Sequence, residues 1–205
     1  MKIVVPTFGS LVSGVGVIAR PVMGRASSLR RERESGREAV AHNAAARDTA
    51  VMHAIVDTLE LARTYAAARY GATVQGQPIA LHVGVPAVEL ERAWPSERYA
   101  FLTAWNPASQ PQSRKANDRA DEALRARLDE AGVARVGAWA EASDGGWYEP
   151  GWLAHGLSLE TLDALAREFG QAGTLSWMHG EPVHLRMVVP RPASTAGLRW
   201  VDWVE

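Results

Sequence analysis

Residues Tyr99 to Trp105 constrain this chain more than any other stretch. They are apolar at almost every position, and Thr103 is the interruption. Side chains of a strand alternate between the two faces of its sheet, so a run apolar on both faces predicts a central strand. The run ends at Asn106-Pro107. Proline disfavours helical backbone at the residue before it, so the chain turns there. Ser109, Gln110, Ser113 and Asn117 follow at short range. An apolar strand that opens into polar, turn-forming residues is a common place for ligand-binding groups in proteins that mix helices with a sheet.

The flanking segments read as more sheet and several helices. Val51, Ile55, Leu59, Ala62, Ala66 and Tyr70 recur at spacings of three and four, which predicts a helix from about residue 39 to Tyr70, ended by Gly71. Ile79, Leu81 and Val83 alternate as a half-buried strand does. Pro86 opens a short helix that Pro95 stops. Ser113 suits the N-cap of a helix that Gly132 ends. Val133–Ala142 and Trp147–His155 read as two strands joined by Ser143-Asp144-Gly145-Gly146, and Pro150 places the second on an edge or bends it. Ser158 caps a third helix with an apolar stripe through Phe169. Thr174–Met178 and Val183–Val189 pair as a hairpin. The end of the chain carries Leu198, Trp200 and Trp203, three groups costly to leave in water, and is expected to dock. The reading is α+β: a single mixed β-sheet with about four helices packed against it.

Residues 1–38 differ in kind. The run from Arg25 to Arg37 has only Ala26 and Leu29 as apolar members, too few to offset the entropy of ordering it. It reads as a flexible, Arg-rich tail ahead of a single domain over 39–205. Met23 and Met52 offer later initiation points, which would make the tail upstream sequence. The first 50 residues carry Lys2 and seven arginines against four acids, a surplus of +4. The rest of the chain is therefore at −5, given the net charge of −1. An acidic body disfavours duplex DNA, whose binding needs many Lys/Arg contacts to phosphate. The absence of cysteine removes disulfides, thiol catalysis and thiolate metal sites, and fits a cytoplasmic setting. No apolar run reaches the length needed to span a bilayer, so no membrane is expected.

Most motif matches fail on structural context. Gly14-Val15-Gly16-Val17-Ile18-Ala19 has the dinucleotide-binding string, but Pro21 and an Arg/Glu run stand where its helix should be. His179, Glu181 and His184 lack the four-residue spacing of two ligands on one helix turn, and Gly180 and Pro182 place them on a turn. Neither a metal nor a cofactor is expected. What survives is a set of polar residues placed near tryptophans. Thr103, Asn106, Ser109, Asn117 and Gln171 are the candidate ligand-binding residues, with Trp105 and Trp147 as walls. Glu149 is the candidate catalytic acid or base, because its neighbours Trp147, Tyr148 and Trp152 predict a raised pKa. Each also has a plain structural use: Thr103 in a strand, Asn106 in a turn, Asn117 tying loop to helix, Glu149 paired with Arg135, Gln171 capping carbonyls.

These residues carry a resemblance. Arg63-Thr64-Tyr65 with Tyr70, then Phe101-Leu102-Thr103-Ala104-Trp105-Asn106-Pro107-Ala108-Ser109, then Asn117, then Trp147-Tyr148-Glu149-Pro150, then Phe169-Gly170-Gln171-Ala172 are similar to a small bacterial family known as domain of unknown function 3293. The likeness spans roughly residues 61–187. Gly151-Trp152 departs from the family pattern after the proline. The resemblance implies shared domain limits and a shared site, and no chemistry. The reading is thus a cytosolic domain with a small-molecule ligand. The alternative is a protein-interaction module that uses exposed tryptophan and an edge strand.

Overall fold

A computed structural model of the protein describes residues 57–204. The expected tail over 1–38, the first half of the long helix, and the Gly14–Ala19 string lie outside the described residues.

Helix α1 spans Thr58–Ala67. The Asp57 side chain caps it by accepting from the Leu59 amide at 2.9 Å. The expected continuation to Tyr70 does not occur. Ala68 is extended, and β1 runs over Arg69–Val74, followed by β2 over Gln77–Leu81 across the tight turn Gln75-Gly76. Gly71 therefore has a packing role within a strand. A Cβ there would lie 2.3 Å from the Trp139 ring. Helix α2 covers Val88–Ala93, and β3 covers Arg98–Leu102. A one-turn 3-10 helix over Pro107–Ser109 precedes α3, Arg114–Glu130, capped by Ser113. β4 (Arg135–Glu141) and β5 (Tyr148–His155) form the expected hairpin. α4 is Leu159–Glu168, and β6 (Gly173–Met178), β7 (His184–Met187) and β8 (Val201–Trp203) complete the set.

The eight strands form one mixed sheet in the order β2-β1-β4-β5-β3-β6-β7-β8. Every pairing is antiparallel except β7 with β8. β3 is interior, as its two apolar faces predict. Tyr99 and Phe101 enter one buried cluster with Leu61, Leu90, Leu153 and Leu175. Ala100 and Leu102 enter another with Leu124, Leu128, Leu162 and Leu165. The sheet curls. Past the edge strand β2, the Gly84 amide donates to the Val183 carbonyl at 2.8 Å, just ahead of β7. The chain end docks as expected, with β8 alongside β7 and Leu198 and Trp203 against the first cluster.

Pro150 is a correction. Its strand lies between β4 and β3, not on an edge. The proline is tolerated because β3 pairs only with Trp152–His155, so the first half of β5 projects beyond it. Gly151 sits at that crossing point. A Cβ there would meet the Leu102 carbonyl oxygen at 2.6 Å.

The two histidines of the β6–β7 hairpin go to different partners. His179 stands 3.7 Å from Glu91, and His184 bonds Asp202 at 3.1 Å. Among the described residues no cluster of three metal-ligating side chains occurs, and no helix is long and apolar enough to cross a membrane.

Candidate functional site

The end of β3 feeds a loop with unusual backbone. Asn106, Ala108 and Ser109 have φ of 48°, 54° and 55°, a left-handed region that costs a non-glycine residue about 1–2 kcal/mol. Among the described residues, Gln75 in the β1–β2 turn is the one other non-glycine there. Such strain persists where surrounding contacts over-determine it. Here the contacts come from four directions. Thr103 Oγ1 donates to the Pro150 carbonyl at 2.8 Å and accepts from the Trp105 amide at 3.0 Å. Gln171 Nε2 donates to the Trp105 carbonyl at 3.0 Å. The Ala108 amide donates to the Gly170 carbonyl at 2.8 Å. Ser109 Oγ bonds the Tyr65 hydroxyl of α1.

Within this frame Asn106 links two otherwise separate groups. Its Nδ2 donates to Glu149 Oε1 at 2.9 Å. Its Oδ1 accepts from Asn117 Nδ2 at 2.9 Å and from the Gln112 amide at 2.9 Å. Its own amide donates to Asn117 Oδ1 at 3.0 Å. Trp147 Nε1 supplies a second donor to Glu149 Oε1 at 2.8 Å. Asn106, Asn117 and Glu149 are all buried. The helical spacing of Asn117 with Leu124 turns it toward the sheet, which is why its amide reaches the loop.

Burial pushes the Glu149 carboxyl up to about 7, from an ordinary 4.5, against the opposing effect of the hydrogen bonds from Asn106 and Trp147. Arg135, the other partner open to Glu149 from the sequence, pairs with Asp129 instead and lies over Trp152. Burial also pushes the Tyr65 hydroxyl up to about 12, partly offset by its bond to Ser109, and moves Tyr70 further in the same direction.

A hollow of about 360 Å³ opens beside this network. Trp105, Asn106, Gln112, Arg114, Asn117, Trp147 and Tyr148 line it, together with Pro111 and Gly146. Four sequence-derived candidates therefore lie on its wall: Trp105, Asn106, Asn117 and Trp147. Glu149 sits behind Asn106 and Trp147, bonded to both. Thr103, Ser109 and Gln171 do not line the hollow; they hold the loop that does. Arg114 and Tyr148 were not among the candidates. Tyr148 could have been found from its place beside Trp147 on a strand end, since it is 57% exposed. Arg114 carries no signal beyond following the helix cap.

Fold and site together define an α+β domain with a buried carboxyl–amide network where its central strand ends. The chain resembles the family described as "Protein of unknown function (DUF3293)", whose model matches residues 102–173. That span is narrower than 61–187, yet it contains Asn106, Asn117, Glu149 and Gln171. No curated protein and no solved structure matches the chain.

Proposed function

We propose that this domain binds a small polar ligand in the hollow beside Asn106 and Asn117, and that Glu149 is the acid–base group of the site. One observation carries the proposal. Three left-handed residues are held at Asn106, Ala108 and Ser109 so that one amide side chain can join Glu149 to Asn117 next to an aromatic-walled opening. A turn that served only to connect β3 to α3 would not need that strain. Pockets for small molecules combine apolar walls with a few fixed polar groups, as here.

The reading of Glu149 rests on its chemistry. Oε1 already accepts two hydrogen bonds, whereas Oε2 accepts none among the described residues. A carboxyl that titrates near 7 can either give or take a proton at neutral pH. The interaction-module alternative loses support from β5, which is an interior strand.

The test is a thermal-shift screen of nucleotides, amino acids and sugars on the wild type and on Glu149→Gln. Stabilisation by one class, altered in size or pH dependence by the substitution, is the expected result. No stabilised condition, together with a stable protein partner in a pull-down, would replace this reading with the interaction module.

A further inference from the structure

We infer that the ligand of the hollow is an oxyanion on a flat apolar body, an aryl carboxylate or aryl phosphate. This inference rests on the binding reading above and specifies its chemistry.

A primary amide offers two N–H donors and one acceptor oxygen. Asn106 Oδ1 is occupied by Asn117 Nδ2 and the Gln112 amide, and Asn117 Oδ1 by the Asn106 amide. The acceptors of the two buried amides on the wall are therefore used inside the protein, whereas the exposed Gln112 side chain keeps both a donor and an acceptor. The donors are not used up. Asn106 Nδ2 has one of its two N–H groups on Glu149, and Asn117 Nδ2 has one of two on Asn106. Trp105 Nε1 has no acceptor among the described residues, but it is fully enclosed and is not a donor that faces the hollow. What the buried polar side chains of the wall, Asn106 and Asn117, have left to offer a ligand is N–H.

The charge points the same way. Arg114 is the charged side chain on the wall. Among the described residues its ion-pair partner is Asp118, 3.7 Å away, in a pair whose side chains are 87% and 55% exposed. A pair so exposed holds the guanidinium weakly, leaving it able to turn to an anion. Among the described residues no carboxyl lines the wall: Asp144 bonds the Gly146 amide beside it, and Glu149 stands behind Asn106 and Trp147. Trp105, Trp147 and Tyr148 supply aromatic surface for a flat body. The volume of about 360 Å³ is enough for one ring with its substituent.

The experiment uses the full chain and isothermal titration with six probes. Benzoate, phenyl phosphate and indole-3-carboxylate are the anions. Benzamide, indole and benzylamine are their neutral and cationic counterparts. At least one anion should bind, and its counterparts should bind at least about tenfold more weakly. Arg114→Gln, at an exposed position that leaves the fold intact, should weaken the anion about tenfold and leave the thermal melt of the free protein unchanged. A preference for carboxylate or for phosphate identifies which oxyanion is meant. Equal or tighter binding of benzamide, indole or benzylamine would overturn the inference and leave the binding reading standing. Anion binding that Arg114→Gln does not change would also overturn it. Failure of all six probes, with no stabilised condition in the wider screen, would remove both.

Discussion

Asn106 and Asn117 exchange two hydrogen bonds although eleven residues separate them. The Asn106 amide donates to Asn117 Oδ1 at 3.0 Å, and Asn117 Nδ2 donates back to Asn106 Oδ1 at 2.9 Å. This reciprocal pair fastens the loop after the central strand to the first turns of α3. It also leaves side-chain donors for other partners: both N–H groups of Asn106, one of which goes to Glu149, and the second of Asn117.

Replacement of one member tests the pair. Asn117→Asp keeps an acceptor for the Asn106 amide but removes the donor to Asn106 Oδ1 and buries a charge at a site that is 3% exposed. The expected loss at neutral pH is about 2–4 kcal/mol in urea unfolding. A loss within the error of the wild type would show that the pair does not hold the loop.

The pH dependence of stability follows from Glu149. Its pKa rises from 4.5 in the ordinary state to about 7 in the fold. Between those values the native state holds a proton that the unfolded chain has given up, so stability falls as pH rises from about 4.5 to about 7 and is level above. The full effect is about 3 kcal/mol. Glu149→Gln keeps an oxygen for Asn106 and Trp147 and has no proton to lose. Denaturant melts at several pH values should therefore show the variant gaining on the wild type as pH rises to 7. Parallel curves would contradict the assigned pKa.

Trp147 acts on the same carboxyl from the other side. Its indole N–H bonds Glu149 Oε1 at 2.8 Å and holds the pKa down. Trp147→Phe should move the Glu149 titration above about 7, seen as a shifted midpoint of its carboxyl carbon in NMR. An unmoved or lowered midpoint would mean that burial alone sets the value.

Gly151 tests how closely β5 crosses the end of β3. A methyl group there would lie 2.6 Å from the Leu102 carbonyl oxygen and 3.1 Å from the Phe101 ring. Gly151→Ala should cost about 1–3 kcal/mol, because backbone rather than a flexible side chain must move. The backbone signals of Thr103 and Asn106 should shift with it. A neutral substitution would show slack at this crossing.

Much of the fold was legible because periodicity and punctuation agreed. The two-faced apolarity of Tyr99–Leu102 marked an interior strand, and Ser113 and Ser158 do cap their helices. The β1–β2 hairpin was not legible because Tyr70 falls by chance on the apolar period of the preceding helix. Its signal was Gln75-Gly76, where both residues have positive φ. Pro150 misled because the rule on proline concerns a missing ladder bond, and β3 is too short to require one there. In the site, Asn106, Asn117 and Glu149 were readable as polar residues in apolar company. The division between residues that line the hollow and residues that hold its loop was not readable. It depends on which way Thr103, Ser109 and Gln171 point across the chain, to Pro150, Tyr65 and Trp105.

The most direct test of a ligand site at this strand end is NMR of side-chain N–H groups. Asn106, Asn117, Trp105 and Trp147 each carry one, and the first two hold the donors left open to a ligand. A compound that stabilises the protein should shift those signals first and most, and Asn106→Ala should abolish both the shifts and the stabilisation. Stabilising compounds that leave these four signals in place and move others would contradict the account.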